Sequence, residues 1–484
     1  MAALSDAIFR EYDIRGIFGK DLTPETAALI GRGYCLYAER RGAFDHKDKR
    51  LKITVGRDVR LSSTALKDAL IGALTSSGVD CIDIGECPTP LQYFSMRVID
   101  GVQGGVMITG SHNPPEYNGF KVSVGAETIH GKEIQELKRI IQSDCLGKPP
   151  KALGQGSVER VDIVERYVTH AASLFDLPAL RKPIKVVLDS GNGTAGPVAP
   201  TLLRRLGCEV IELFSEPDGR FPNHHPDPTV EANLKHLIEA VRREKADFGV
   251  SYDGDADRIG VVDEKGAVVW GDRLMVIFSR AILAVNPGSI IVGEVKCSQT
   301  MYDEIAKAGG VPVMWKTGHS LIKARMKELK AAMAGEMSGH IFFADRYFGF
   351  DDAIYASCRL VEIMANMRAK DPGFVFSNLL AGLPETVVTP EIRIDCADDK
   401  KFEVIERLDK AVGAGNNGIR VKDVIRIDGL RINFDGGWAL VRASNTQPVL
   451  VLRFEATDKA LLDRAKAFMK ERLEAVEPGL SSGI

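Results

Sequence analysis

The sequence feature that most restricts the fold is a pattern of strand, helix, glycine and strand that occurs three times in 484 residues. Each copy predicts an apolar strand, an amphipathic helix and a second apolar strand. The three copies span residues 51–84, 184–214 and 289–315. Their helices are predicted to end at Gly78, Gly207 and Gly309. Because alternating strands and helices are typical of α/β layers, we predict three related α/β domains with mixed sheets.

The last part of the chain follows another pattern. Alternating apolar residues predict strands, and the module also contains a helix at 401–412 and a terminal helix. The predicted strands are 388–394, 418–427, 430–434 and 449–454. This pattern is typical of a C-terminal α+β domain with a mixed or antiparallel sheet.

Turn-rich segments mark the predicted domain boundaries. They are Lys148-Pro149-Pro150-Lys151, 262–266 and Asp371-Pro372-Gly373. The predicted domains are 1–155, 156–266, 267–374 and 375–484.

Composition excludes several function classes. A hydrophobic content of 45% and a charged content of 27% are typical of globular domains. A net charge of -3 speaks against nucleic-acid and membrane-surface partners, because both require excess basic charge. We expect a cytoplasmic protein, since Asp6 and Arg10 interrupt the start of the chain and the apolar stretch 274–285 contains Ser279 and Arg280. Eight cysteines without a CxxC pair favour reduced thiols.

A polar, glycine-containing loop follows one further predicted strand in each copy. The loops are Thr109–Pro114, Asp253–Arg258 and Gly335–His340. Open α/β sheets bind ligands at the carboxyl ends of their strands. We therefore hypothesise that the three loops face one cleft.

Ser111 lies in the first loop and is the candidate nucleophile. A serine is weakly nucleophilic at neutral pH and needs a metal or a basic neighbour before it can hold or pass on an acyl or phosphoryl group. His112 is adjacent to it, and Lys121 follows closely. An ordinary polar turn is the alternative interpretation, because turns use the same residue types.

The second loop has carboxylates at alternate positions, Asp253, Asp255 and Asp257. This spacing can direct all three at one hard cation such as Mg²⁺. A calcium-binding loop that also uses Glu264 is an alternative, but Arg258 occupies its glycine position and the flanking segments predict strands instead of helices. A solvated acidic turn is the third possibility. The guanidinium of Arg258 would suit a phosphate beside the metal.

Two further loops offer polar groups for a ligand. Glu336, Ser338 and His340 could hydrogen-bond sugar hydroxyls, and Lys296 and His319 lie in the same unit. The segment Arg442-Ala443-Ser444-Asn445-Thr446 could bind a second phosphate, although an ordinary turn is the alternative. Two phosphate-binding loops would suit an enzyme whose sugar carries phosphate at either end.

These motifs together resemble those of the α-D-phosphohexomutases. The segment Tyr12–Gly16 and the loops around Ser111, Asp253, Glu336 and Arg442 occur in the family's order over essentially the whole chain. The resemblance implies three related α/β domains plus a C-terminal α+β domain around a central active-site cleft. It also implies the interconversion of hexose 1-phosphate and hexose 6-phosphate, with mannose or glucose as the sugar. The reaction would pass through a phosphoserine enzyme and a hexose 1,6-bisphosphate, which also serves as activator.

The resemblance assigns roles to individual residues. Ser111 corresponds to the phosphoserine, and its phosphate would share one Mg²⁺ per chain with Asp253, Asp255 and Asp257. Residues around the transferred group correspond to Arg15, His112, Lys121 and Arg258, with Lys121 a candidate general acid or base. Cleft residues correspond to Tyr12, Lys296 and His319, and sugar-hydroxyl contacts to Glu336 and Ser338. The loop for the non-reacting phosphate corresponds to Arg442, Ser444, Asn445 and Thr446.

Few residues of the sequence indicate which sugar is preferred. Glutamine usually replaces Met337 in the phosphoglucosamine mutases, which are the nearest alternative. A metal-dependent sugar-phosphate phosphatase is the alternative from another class of reaction. We expect a small-molecule phosphosugar as partner, no nucleic acid, no membrane, and a monomer or weak homo-oligomer.

Overall fold

The computed structural model describes residues 4–42, 50–145, 154–413, 415–445 and 447–483. The predicted linker at 148–151 lies outside these ranges. None of the helices in the described ranges combines the length and the apolar character that a membrane span requires.

The first unit contains a mixed sheet with helices packed on it. Its strands are β1 (Ile14–Ile17), β2 (Lys52–Arg57), β3 (Asp80–Glu86), β4 (Gly104–Ile108), β5 (Tyr117–Val124), β6 (Glu127–Thr128) and β7 (Val158–Arg160). Its helices are α1 (Pro24–Arg40), α2 (Ser63–Ser76), α3 (Thr89–Val98) and α4 (Lys132–Ile140). The order is β1-β5-β4-β2-β3-β7, with β6 beside β5. Strands β4, β2, β3 and β7 are parallel, whereas β5 and β1 are antiparallel additions.

The second unit repeats this plan on a smaller scale. Its strands are β8 (Lys185–Asp189), β9 (Glu209–Leu213), β10 (Phe248–Tyr252), β11 (Ile259–Asp263) and β12 (Val268–Val269). Its helices are α5 (Val164–Ser173), α6 (Ala199–Arg205) and α7 (Lys235–Glu244). In the order β12-β11-β10-β8-β9, strands β10, β8 and β9 are parallel, and β11 is antiparallel to both of its neighbours, β10 and β12.

The third unit follows the same plan again. Its strands are β13 (Ile290–Glu294), β14 (Val311–Trp315), β15 (Met333–Gly335) and β16 (Ile341–Phe343). Its helices are α8 (Gly271–Val285), α9 (Gln299–Lys307), α10 (His319–Leu329) and α11 (Ala353–Lys370). Strand β16 is antiparallel to β15 in the order β14-β13-β15-β16. After α2, α6 and α9, the predicted glycines take left-handed φ values of 85°, 85° and 83°, which suits a residue without Cβ.

The fourth unit is an antiparallel sheet covered by two helices. Its strands are β17 (Val387–Val388), β18 (Ile392–Asp395), β19 (Gly415–Asn416), β20 (Ile419–Ile425), β21 (Leu430–Phe434), β22 (Gly437–Ala443) and β23 (Val449–Ala456). Its helices are α12 (Lys401–Ala411) and α13 (Lys459–Val476). The order is β17-β23-β22-β21-β20-β19, with β18 also on β23. The predicted fold class, three α/β units followed by an α+β unit, is confirmed.

The apolar cores show which units are packed into one body. One continuous core joins side chains of the first three units, among them Phe94, Phe248 and Met333. The fourth unit has its own core between its sheet and the helices α12 and α13. A smaller apolar cluster, Val295 of the third unit with Trp438 and Leu440 of the fourth, lies where these two units meet, beside polar contacts.

Two details of the fourth unit differ from the sequence prediction. The single strand predicted at 388–394 is two strands, β17 and β18, separated around Pro390. Proline has no N–H to donate to a sheet, so it interrupts the pairing there. Strand β22 was not predicted, although the Asp435-Gly436 pair before it is typical of a two-residue β-hairpin turn.

Candidate active site

Ser111 lies in the loop after β4, at the carboxyl end of the parallel strands of the first sheet. It is buried and takes a left-handed φ of 50°, which is unusual for a residue with a side chain. Its hydroxyl donates a hydrogen bond of 2.9 Å to Asp253 Oδ2, and it lies 3.2 Å from His112 Nδ1. The first and second polar loops therefore meet at the predicted nucleophile.

The second loop connects β10 to β11 and brings its three carboxylates together. Asp253, Asp255 and Asp257 are completely buried, and one oxygen of each lies within 4.8 Å of the others. The tight turn needs a left-handed φ of 56° at Ala256. The loop therefore directs three acidic groups inward, toward Ser111.

These carboxylates fit a divalent cation. The Oδ1 atoms of Asp255 and Asp257 are buried and accept no hydrogen bond within the described ranges. Buried carboxylate oxygens of this kind are normally paired or coordinate a metal. Hard oxygen ligands are those that Mg²⁺ prefers.

Lys121, on β5, balances part of this negative charge. Its Nζ is 2.8 Å from Asp255 Oδ2 and also forms an ion pair with Asp257. Burial and the two neighbouring carboxylates raise the pKa of Asp253 well above its usual value. Burial alone would raise the pKa of Asp255, but Lys121 outweighs it and the pKa is lowered. Burial alone would lower the pKa of Lys121, but the charges of Asp255 and Asp257 outweigh burial and raise that pKa.

The calcium-loop alternative does not fit this geometry. Glu264 would be its last ligand, yet its carboxylate accepts hydrogen bonds from the backbone N and the hydroxyl of Ser377. The aspartate loop is flanked by strands β10 and β11. An acidic turn exposed to solvent is also inconsistent with three fully buried aspartates.

Arg15 and Arg258 lie near His112, the neighbour of the Ser111 hydroxyl. Arg15, on β1, donates to Asn113 Oδ1 at 2.9 Å and to Asp13 at 2.5 Å, which fixes its position at the serine loop. The backbone N of Arg258 donates to Asp253 Oδ1. Burial, followed by the charges of Arg258 and Arg15, lowers the pKa of His112 well below its usual value. The region therefore suits a phosphate.

His340, which the sequence suggested as a contact for sugar hydroxyls, instead contacts Arg258 of the aspartate loop. Its Nε2 accepts a hydrogen bond of 2.9 Å from Arg258 Nε, and its Nδ1 lies 3.3 Å from Asp351 Oδ2. The arrangement gives His340 a proton on Nδ1 and a lone pair toward Arg258. Its place in the third polar loop was visible in the sequence, but its contact with another unit was not.

The third loop also organises the residues expected to bind sugar. Glu336 accepts a hydrogen bond of 2.7 Å from the backbone N of Gly318 and is buried, whereas Ser338 is partly exposed. Lys296 donates 2.7 Å to Glu391 of the fourth unit and is 3.4 Å from Glu294. The loops of the third unit are therefore tied to one another and to the fourth unit.

Tyr12 connects three of the units. Its hydroxyl donates to the carbonyl of Thr317 at 2.8 Å and accepts from Asn445 Nδ2 at 2.7 Å. Its ring meets His319 edge-on at 6.0 Å, and His319 stacks on His340 at 5.5 Å. The first, third and fourth units therefore converge on the same region as the Ser111 loop.

The fourth unit contributes the turn between β22 and β23. Arg442, at the end of β22, is buried and donates a 2.9 Å hydrogen bond to Asp428 Oδ2. The Ser444 hydroxyl accepts from the backbone N of Gln447 at 3.2 Å. Thr446, the last residue predicted for this loop, lies outside the described residues. A series of contacts links this turn to the aspartate loop, from Asn445 to Tyr12, from Tyr12 to His319, from His319 to His340 and from His340 to Arg258. That all the predicted residues line one cleft stays a prediction.

Family models match the chain in four consecutive segments. They describe α/β/α domains I, II and III of phosphoglucomutase/phosphomannomutase and the C-terminal domain of these enzymes. The matched residues are 6–146, 165–266, 270–381 and 391–472.

Known proteins resemble the chain over almost all of its length. Phosphomannomutase/phosphoglucomutase of Pseudomonas aeruginosa is 47% identical over 99% of this chain and 97% of its own. Phosphoglucomutase of Neisseria gonorrhoeae is 43% identical over 98% of both chains. A crystal structure of a phosphoglucomutase/phosphomannomutase family protein from Burkholderia thailandensis has a TM-score of 0.88 and 41% identity over 99% of both chains. The chain therefore belongs to the phosphoglucomutase/phosphomannomutase family and is an α-D-phosphohexomutase, an isomerase of hexose phosphates.

Proposed function

We propose that this phosphohexomutase interconverts the 1- and 6-phosphates of mannose and glucose through a phosphoserine at Ser111. The observation that carries the proposal is the contact of the Ser111 hydroxyl with Asp253, in the same aspartate loop that pairs with Lys121. The loop after Arg442 is linked to the first unit by the hydrogen bond from Asn445 to Tyr12. A phosphoryl donor and a separate phosphate-binding loop are what a sugar with two phosphate positions requires.

In the proposed cycle the phosphoryl group leaves Ser111 Oγ for a free hydroxyl of the bound hexose phosphate. The P–O bond to serine breaks, and a P–O bond to the sugar oxygen forms. The proton lost by the sugar hydroxyl is balanced by the proton that the serine oxygen regains. The resulting hexose 1,6-bisphosphate turns over in the cleft and returns its other phosphate to Ser111.

The chain's own residues position and stabilise the transferred group. Phosphoryl transfer depends mostly on positioning and on charge neutralisation. Arg15, Arg258 and Lys121 supply fixed positive charge, with Lys121 also a candidate acid or base. His112 contacts the Ser111 hydroxyl directly.

We propose one Mg²⁺ per chain, held by Asp253, Asp255, Asp257 and Ser111. When bound, it would neutralise charge on the transferred phosphate. The buried Oδ1 atoms of Asp255 and Asp257, which accept no hydrogen bond in the described part of the chain, support this assignment.

The remaining residues would hold the sugar and its other phosphate. Glu336 and Ser338 are proposed to bind the sugar hydroxyls, and Tyr12, Lys296 and His319 to line the cleft. We propose that the non-reacting phosphate is bound by Arg442, Ser444, Asn445 and Thr446. Placement of the arginine at a turn between two central strands supports a rigid binding loop.

Three coarser features complete the proposal. We propose four domains, 1–155, 156–266, 267–374 and 375–484. A cytoplasmic location is supported by the free thiols of Cys81, Cys87, Cys297 and Cys358, which are buried and match a reducing compartment. A monomer or weak homo-oligomer is supported by exposed large apolar side chains that come from separate segments.

Comparison of three substrates tests the proposal. The 1-phosphates of mannose, glucose and glucosamine would be incubated with the protein, Mg²⁺ and a trace of glucose 1,6-bisphosphate, and 6-phosphate and free phosphate would both be measured. We expect 6-phosphate from mannose and glucose. Faster conversion of glucosamine 1-phosphate would contradict the proposed substrate, and release of free phosphate without isomer would contradict mutase chemistry.

A further inference from the structure

Arg60 is a buried arginine in the turn between β2 and α2, directly behind the Ser111 loop. Its guanidinium donates to four backbone carbonyls of that loop. Nη2 is 2.8 Å from the oxygen of Ser111 and 2.5 Å from that of Asn113. Nη1 is 2.5 Å from the oxygen of Pro114 and 2.9 Å from that of Tyr117. One side chain therefore holds both ends of the loop.

Asp58 completes the arrangement. Its Oδ2 accepts from Arg60 Nε at 3.1 Å and from the backbone N of Gly110 at 3.0 Å. Its Oδ1 accepts from the backbone N of Arg60 and from the hydroxyl of Ser63. The side chains of Arg60 and Asp58 are 0% and 2% exposed, so the pair is shielded from water.

Only arginine can satisfy this set of acceptors. A guanidinium carries five N–H donors in a fixed planar fork, and the five contacts at Arg60 use all of them. Lysine has three donors and no plane. Arginine also stays charged when burial lowers its pKa, as burial does for Arg60.

The held loop carries the reacting hydroxyl in an unfavourable backbone conformation. Ser111 has a φ of 50°, and such conformations persist only where the surroundings fix them. The Ser111 carbonyl is packed between Arg60 and Gly254, where an added Cβ would lie only 2.6 Å from its oxygen. The position of that carbonyl therefore sets the separation between Ser111 and the aspartate loop.

We propose that Arg60, braced by Asp58, is a positioning residue that holds the Ser111 hydroxyl in line with the aspartate loop for phosphoryl transfer. The proposal rests on the proposed function for its kinetic consequence. Its structural part, the restraint on residues 110–117, does not depend on any substrate.

Two substitutions and a matched control test the kinetic part. Arg60→Met and Arg60→Lys should lower kcat about 100-fold, the order expected when a reacting group is misplaced by about 1 Å. The KM should change little, because the Arg442 loop is untouched. Lys67→Met is the control, since it breaks another buried ion pair of the same unit, Lys67 to Asp83 at 2.6 Å, away from the serine loop. Its kcat should remain near the wild-type value.

Hydrogen exchange tests the restraint directly. The amides of residues 110–113, 116 and 117 should lose protection in both Arg60 variants and keep it in Lys67→Met, since Pro114 and Pro115 have no amide N–H. The rate at which hexose 1,6-bisphosphate phosphorylates dephosphorylated Ser111, followed by intact mass, should fall with kcat. If Arg60→Met does not fold, Arg60→Lys alone is used for the kinetic and the exchange measurements.

Two results would overturn the inference. The first would be that the Arg60 variants and Lys67→Met lose the same melting temperature and have the same kcat. The other is unchanged exchange in the loop. Absence of mutase turnover in the wild-type protein would instead count against the proposed function, because the exchange experiment would still report on Arg60.

Discussion

At the scale of single residues, the site depends on a hydroxyl and a carboxylate that are 142 positions apart in the chain. Ser111 follows β4 of the first sheet, and Asp253 follows β10 of the second. Each loop ends a buried strand, so neither side chain can withdraw without disturbing a core. The 2.9 Å contact therefore follows from the packing of two units.

Replacement of the serine is the first prediction. Ser111→Ala should lower turnover of mannose and glucose phosphates by more than about a thousandfold, because the phosphoryl carrier is lost. The melting temperature should stay close to that of the wild type. Intact mass should show a phosphoryl group on wild-type protein treated with hexose 1,6-bisphosphate and none on the variant. Activity within a few-fold of wild type would rule out the role.

Metal binding gives the second prediction and has a readout other than activity. Mg²⁺ added to chelator-treated protein should raise its stability, by about 2.7 kcal/mol at 100 times the Kd, because only the folded triad binds the ion. Asp255→Asn should abolish most of that increase. Asp263→Asn is the matched control, because Asp263 accepts backbone N–H groups through one oxygen that asparagine retains. An equal increase in both variants would disprove the triad as the site.

At the scale of elements, the turn between β22 and β23 holds Arg442 on two central strands of the fourth sheet. Its Nε is already paired with Asp428, which also accepts from the backbone N of Thr317. The pairing with Asp428 therefore orients the arginine before any ligand binds. We expect its terminal N–H groups to donate to the phosphate.

The third prediction concerns this turn. Arg442→Met should raise the KM for hexose phosphates about 10- to 150-fold, the effect of losing a charge-assisted hydrogen bond of roughly 1.5–3 kcal/mol. Arg420→Met, on exposed β20 of the same sheet, should leave the KM unchanged. Steady-state kinetics with mannose 1-phosphate would measure both. A KM that is the same in the two variants would remove Arg442 from the phosphate site.

Sequence patterns predicted the repeated strand–helix–strand units because buried strands and helices have a regular spacing of apolar residues. Strand β21 has the predicted bounds, and β20 and β23 differ from theirs by at most two residues. For the same reason the polar loops could be placed at the carboxyl ends of strands. Ser111 and Asp253 were therefore expected at equivalent edges of their two sheets. Long helices such as α1, α8 and α11 were not predicted. Contacts between units do not produce a regular pattern in the sequence, so they could not be predicted. Arg60 lies in an unremarkable turn, and the bond between Arg258 and His340 spans 82 positions.

At the scale of the whole molecule, the fourth unit is joined to the third by a buried interface that combines polar contacts with the apolar cluster of Val295, Trp438 and Leu440. Arg431 donates to the carbonyls of Val295 and Cys297 at 2.7 Å each and stacks on Trp438 at 3.9 Å. Glu455 accepts from the Trp438 indole at 2.7 Å. These groups hold the loop that carries Lys296, so attachment of the fourth unit and the cleft are linked.

The fourth prediction tests this attachment. Arg431→Met should lower the stability of the fourth unit by at least about 2 kcal/mol, since it leaves buried carbonyls without donors. Calorimetry should show the fourth unit unfolding before the other three, because it has a core of its own. Arg426→Met removes an exposed ion pair with Asp409 and should have little effect. A single unchanged transition for Arg431→Met would contradict the prediction.

The hydroxyl of Tyr12 closes the ring of units with two hydrogen bonds, one to Thr317 and one from Asn445. The first, third and fourth units thus contact one another through a single phenolic oxygen. A change at this one atom would therefore be felt by three units at once.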